Sequence, residues 1–205
     1  MRQVTGSNHT PSNKKVSIQL LLDGQLFIGD NLPKPEVTEG SIVEIELLTA
    51  RTIVVPTECF EPTLAEKFLQ MSGINCTTEE QPVWSCDSDG VTAIIVIGRE
   101  ISEQLTARYG ENLRYTTPLL RNVSGVGAHL YIYSAGSVIY FKLYNGEKVE
   151  FCEAISLPSE DDVLYFVERL VREFKMENVV IRVAGNSTDS LRMLLKQYYK
   201  VVKCE

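Results

Sequence analysis

Histidine is nearly absent from this 205-residue chain, which has only His9 and His129. The five cysteines, Cys59, Cys76, Cys86, Cys152 and Cys204, are odd in number and contain no Cys-x-x-Cys pair. These shortages argue against a zinc site and a Cys-His nucleophile pair, and the cysteines read as free thiols in a reducing compartment. No apolar run approaches the roughly 18 residues that a membrane span needs, and the polar stretch from Met1 to Lys15 lacks the apolar core of a signal peptide. The expected location is the cytoplasm, with residues 1–15 as a disordered tail. Positive charge is also scarce: 20 Lys and Arg stand against 27 Asp and Glu, a net charge of -7. The basic residues are scattered, so a phosphate backbone or anionic surface would be repelled, and neither a nucleic-acid partner nor a membrane span is expected.

What is present is an ordinary globular composition, 44% apolar and 23% charged, able to bury a core without disulfides or metal. Val16, Ile18, Leu20 and Leu22 alternate as a strand, Asp23-Gly24 signals a hairpin, and Leu26-Phe27-Ile28 follows. A loop with Pro33, Pro35 and Gly40 leads to strands at Val43–Leu47 and Thr52–Val55. Pro62 to Ser72 reads as a short helix with Leu64, Phe68 and Met71 on its apolar side, and Val83 to Cys86 as a short strand. Val91 to Ile97 is nearly continuous and β-branched, the pattern of a strand buried on both faces. A helix at Glu100–Tyr109, an extended piece at Leu113–Thr116 and a helical turn at Pro118–Val123 complete the first half.

Ser124-Gly125-Val126-Gly127 is the candidate hinge. Beyond it come strands at His129–Tyr133, Val138–Tyr144 and Lys148–Ile155, joined at Ala135-Gly136 and Asn145-Gly146. Ser159 caps a helix whose first turn is Glu160, Asp161 and Asp162 and whose core stripe includes Val163, Phe166, Val167 and Leu170. A buried strand at Val179–Val183, a helix at Asp189–Tyr199 with Leu191, Leu194, Leu195 and Tyr198 on one side, and an extended Lys200–Cys204 end the chain.

The order of meander, helix, strand, helix, strand thus occurs twice, at residues 16–123 and 128–205 around a hinge at 124–127. The predicted fold class is α/β: two tandem ribonuclease-H-like halves forming an actin-like ATPase fold, with mixed sheets flanked by helices. Particular residues extend that reading: Ser17-Ile18-Gln19-Leu20-Leu21-Leu22-Asp23-Gly24, Val55-Pro56-Thr57-Glu58-Cys59-Phe60, Thr117-Pro118-Leu119-Leu120, Asp162-Val163-Leu164-Tyr165-Phe166 and Ala184-Gly185. From Val16 to the C-terminus the chain resembles the uncharacterised Bacteroidetes family called domain of unknown function 3822, which implies an actin-like ATPase fold. Compared with that family its loops are short.

The resemblance places any phosphate grip in the first hairpin turn of each half, Asp23-Gly24-Gln25 and Ser134-Ala135-Gly136, and an adenosine contact near Gly185. The first turn keeps an Asp without the usual spacing, the second has no carboxylate, and Val183-Ala184-Gly185-Asn186 has one glycine where the fold uses a pair. As hairpin turns these segments need glycine for backbone reasons alone. A two-metal nuclease is disfavoured because Tyr131-Ile132-Tyr133 supplies no carboxylate and Glu150 and Glu153 fall on opposite faces of a strand. Gly125-Val126-Gly127 precedes a strand, so it reads as a linker and not as a dinucleotide loop; Asp87-Ser88-Asp89-Gly90 reads as a polar turn and not as a calcium loop.

One pattern carries binding content. Tyr131 and Tyr133 share a face of one strand, and Tyr140, Lys142 and Tyr144 share a face of the next. The sequence leaves two readings of these rings, an exposed platform for a protein partner or a buried layer. The expected function is a non-catalytic scaffold or protein-interaction domain with an unidentified protein partner and no cofactor. The alternative is a divergent ATP-binding protein or phosphotransferase that would use Mg-ATP near Asp23, Gly24, Ala135, Gly136 and Gly185.

Overall fold

The computed structural model describes residues 15–22, 41–85, 90–123, 125, 127–186 and 188–204. Three sheets organise them. In the first half, β1 (Lys15–Leu21), β2 (Ile42–Leu48) and β6 (Leu113–Thr116) form one sheet in the order β1-β2-β6, parallel throughout. A second, antiparallel sheet has the order β3-β5-β4, from β3 (Thr52–Pro56), β4 (Glu80–Trp84) and β5 (Val91–Gly98). Helices α1 (Ala65–Met71) and α2 (Arg99–Tyr109) complete this half.

The β-branched run of β5 explains its central place. Ala93, Ile95 and Ile97 pack in one core with Val43, Ile45 and Leu47 of β2, while Ile94 and Val96 meet Ala65 and Leu69 of α1 on the other side. Both faces are therefore buried, as the run predicts. On α1 the buried residues are Ala65 and Leu69, with Phe68 packed beside them; Met71 is 77% exposed. The expected apolar side of Leu64, Phe68 and Met71 is rotated, because Pro62–Leu64 forms a separate 3-10 turn and the helical register starts later.

The meander expected for the first half differs from the observed pairing. β2 runs parallel to β1, Lys15 opposite Ile42 through Leu21 opposite Leu48. Alternation fixes which face a residue occupies and is silent about strand direction. Asp23-Gly24, Leu26-Phe27-Ile28 and the Pro33–Gly40 loop lie outside the described residues, as does the expected tail apart from Lys15. The correspondence between Val91–Ile97 and Val179–Val183 also fails in detail: β5 pairs antiparallel on both sides, whereas the later strand pairs parallel on both sides.

The second half follows its predicted order closely. β7 (Ala128–Ala135), β8 (Val138–Asn145) and β9 (Lys148–Ser156) form an antiparallel meander, and β10 (Val180–Gly185) and β11 (Val202–Cys204) extend it in parallel, giving β11-β10-β7-β8-β9. α3 (Glu160–Glu173) and α4 (Asp189–Tyr198) cover one face of this sheet. Their Val163, Val167, Leu170, Leu191 and Leu195 meet Leu130, Ile132, Phe141 and Ile181. Tyr198 is turned outward at 58% exposure, so the stripe of α4 is narrower than its sequence suggests. Ser159 caps α3, its Oγ accepting from the Asp162 amide at 3.2 Å.

The other face of the five-stranded sheet carries the tyrosines, and it does not form an exposed platform. Tyr131, Tyr133, Tyr140 and Tyr144 are all buried, packed with Leu48 of β2, with Leu119 and Val123 of residues 117–123, the link at the end of the first half, and with the Ala135, Ala154 and Ala184 side chains of their own sheet. The first half covers them. Between the halves Gly127 has φ +76, a left-handed turn that suits glycine, and Ser124 and Val126 of the expected hinge lie outside the described residues.

Candidate functional site

A strand that ends in a parallel sheet leaves a crevice beyond its carboxyl end, and such crevices are the usual ligand sites of α/β folds. Here the carboxyl ends of β1, β2 and β7 meet the starts of α3 and α4 around a cleft of about 390 Å³. Leu21, Leu48, Ala135, Gly136, Ser159 and Asn186 are among its walls. The structure thus brings Ala135 and Gly136 together with the residue after Gly185; Asp23 and Gly24 lie outside the described residues.

The two glycines have separate backbone reasons. Gly136 has φ +68 at the β7–β8 turn, with nothing within 4 Å of a Cβ built there. Gly185 has φ +104, and a Cβ there would sit 2.1 Å from the Ser134 carbonyl oxygen. That contact exists because β10 runs beside β7 to its very end, where the Asn186 amide donates to Ser134 O at 2.9 Å. Glycine at position 185 is thus required by strand packing, with or without a ligand.

One carboxylate, Glu160, is among the residues that line the cleft. α3 opens on Glu160, Asp161 and Asp162, and Glu160 accepts a hydrogen bond from Ser190 of α4, tying the two helix starts together. Ser159 donates to Asp162 Oδ2 at 2.6 Å. A helix N-terminus can hold a phosphate through its free amides and positive dipole end, but here the helix's own carboxylates already answer that dipole.

A second cluster lies between the halves, at residues that no sequence motif marks. Glu46 of β2 is 4% exposed. Arg121 grips it with two bonds, Nε to Oε1 at 2.9 Å and Nη2 to Oε2 at 2.8 Å. Gln19 Nε2 donates to Glu46 Oε2 at 2.5 Å and to Tyr133 Oη at 2.8 Å, and the Arg121 guanidinium lies 4.4 Å from the Tyr133 ring centre. Burial works against the Arg121 charge, but Glu46 beside it raises the guanidinium above its ordinary value. With both oxygens engaged, Glu46 serves as a clamp between β1, β2, the link and β7. Alternation placed Glu44 and Glu46 alike on one face, so no local signal distinguished the buried one.

Among the described residues no group of three or more His, Cys, Asp or Glu side chains converges to hold a metal ion. Glu150 accepts from Lys148 Nζ at 3.1 Å and does not join Glu153 in a common site. Cys59, Cys76, Cys152 and Cys204 are free thiols, and Cys86 lies outside the described residues, as do Asp87, Ser88 and Asp89. No helix among the described residues is long and apolar enough to cross a membrane.

No protein-family model matches this chain, and no curated protein matches it. Among solved structures it is similar to a Bacteroides thetaiotaomicron protein with an actin-like ATPase fold and unknown function, at 15% identity and a TM-score of 0.65 over 80% of this chain and 68% of that one. A PilM-PilN type IV pilus biogenesis complex shares 14% identity over 82% and 70% of the two chains with a TM-score of 0.44. An Aquifex aeolicus PPX-GPPA enzyme shares 16% identity over 50% and 44% with a TM-score of 0.30. Those two scores are too low to carry an argument. The first likeness speaks to architecture alone, and with the mixed α/β sheets described above it assigns this chain an actin-like ATPase fold.

Proposed function

We propose that the chain is a non-catalytic actin-like domain, a scaffold that works through contacts with a protein partner, and that it belongs with the Bacteroidetes family of unknown function named above. The observation that supports the non-catalytic part is the carboxylate in the cleft: Glu160, at the start of α3, lines it together with the Ala135-Gly136 turn, where a phosphate chain would meet a like charge. Membership in the family is supported by the quoted residues and by the fold shared with a Bacteroides protein of unknown function. A cytoplasmic location belongs to the same reading, and so does the absence of a nucleic-acid partner, which the scattered basic residues and the net charge of -7 support.

The alternative is an ATP-binding protein or phosphotransferase, and the position of the cleft favours it. Ala135, Gly136 and Asn186 share one crevice at strand carboxyl ends, and Asp23, Gly24 and Gly185 are the further residues it would use. Melting temperature with Mg-ATP separates the two readings, since a ligand held at 100 times its Kd stabilises the native state by about 2.7 kcal/mol. We expect no shift and no phosphate release above background. A Tm rise with Mg-ATP that is lost in Gly136→Ala would establish the alternative.

A further inference from the structure

At the other end of the seam, away from the cleft, the halves leave a cavity of about 760 Å³. The cleft adjoins the Ala135-Gly136 turn at the carboxyl end of β7, whereas this cavity adjoins Gly125 and the Gly146-Glu147 turn at the amino end. Val54 and Val91 of the first half and Leu119 of the link supply apolar walls, and Val149 of β9 adds to them. Lys142 and Tyr144 of β8 supply the polar ones.

Lys142 is 8% exposed and forms no ion pair among the described residues. Its Nζ donates to the Arg121 carbonyl at 3.2 Å and lies 5.3 Å from the Tyr144 ring centre. A buried ammonium ordinarily has a counter-charge, because losing its hydration is costly and neither a carbonyl nor a ring face replaces a carboxylate. Cys152 stands opposite Lys142 in the β8–β9 register, but burial pushes its thiol up to about 11 even with the Lys142 charge pulling it down, so at neutral pH it is uncharged. Beside it the Tyr144 hydroxyl is buried without a hydrogen-bond partner, its ring stacked on His129 at 4.4 Å. Buried hydroxyls are nearly always satisfied. One cavity therefore holds an unbalanced cation, an unused polar group and an apolar lining.

We propose that this cavity binds a small monocarboxylate with an apolar tail, the carboxylate paired with Lys142, the Tyr144 hydroxyl acting as second donor, and the tail lying along Val54, Val91, Leu119 and Val149. The volume falls within the range of small-molecule sites. A single uncompensated charge balances a monoanion, and exposed Glu147 in the lining opposes a doubly charged ligand such as the phosphate dianion about twice as strongly as a singly charged one. The inference is independent of whether nucleotide binds in the cleft.

The test is calorimetric titration and thermal shift of the full chain with octanoate, octan-1-ol and inorganic phosphate. Octanoate should bind and raise Tm, octan-1-ol should bind about tenfold more weakly or worse, and phosphate should do neither. Lys142→Met should cut octanoate affinity about tenfold or more while leaving the ligand-free Tm unchanged or higher, since it removes a buried unpaired charge. Tyr144→Phe, which keeps the ring, should weaken octanoate without lowering Tm. Absence of octanoate binding at millimolar concentration, equal binding of octan-1-ol, or equal octanoate binding by a folded Lys142→Met would each overturn the proposal. Binding of phosphate in preference to octanoate would overturn the ligand class.

Discussion

The Tyr140 ring is 1% exposed, its hydroxyl donates to the Thr49 carbonyl at 3.3 Å, and its edge meets the Tyr133 ring at 6.0 Å. Tyr140→Ala would remove packing and a hydrogen bond together. By analogy with other large core truncations it should lower stability by about 3 to 5 kcal/mol in urea denaturation. A change under about 1 kcal/mol would mean that the tyrosine layer is not core in solution. The same burial explains why the aromatic stripe was ambiguous beforehand: Tyr is amphipathic, and its sequence spacing on a strand is identical whether its face meets solvent or another sheet. Glu46 alternates with apolar Val43, Ile45 and Leu47, as a solvent-facing strand carboxylate would, yet Arg121, 75 residues away, holds it inside.

Elements were legible where the pattern was long and bounded. α3 combines a capping serine, an acidic first turn and a stripe at helical spacing, so it could be placed almost to the residue. β7, β8 and β9 were equally clear because Gly136 and Gly146, with φ +68 and +65, mark their turns. Pairing direction was not legible, and neither was the reason for Gly185. Gly185→Ala should cost about 3 kcal/mol or more, because backbone strain and collision with Ser134 O add. Gly136→Ala meets open space and should cost only the left-handed strain, about 1 kcal/mol. Chemical denaturation of the two variants measures the contrast. Equal losses would mean that β10 does not approach β7 so closely.

At the scale of the whole molecule, the tyrosine layer makes the two halves share one core. The five-stranded sheet is sandwiched, with α3 and α4 on one face and the first half on the other. Unfolding should therefore be a single transition. Trp84, the only tryptophan, sits in the first half, so its fluorescence reports there while circular dichroism at far-ultraviolet wavelengths reports the helices of both halves. Coincident melting curves are expected. Separate transitions would show that the seam contributes little, and residues 128–205 made alone should then stay soluble. With the seam intact in the full chain, that fragment would instead expose the faces of Tyr131, Tyr133, Tyr140 and Tyr144 and should aggregate.

The sequence by itself determined the elements of the second half, the doubly buried character of β5 and the shortage of metal ligands, because periodicity, caps and composition are local properties that a chain carries before it folds. Tertiary structure alone decided the parallel pairing of β1 with β2, the burial of Glu46 and the tyrosines, and the placing of Lys142 beside a cavity. Each of these depends on which distant surface comes to cover a face, and alternation along a strand records only that there are two faces.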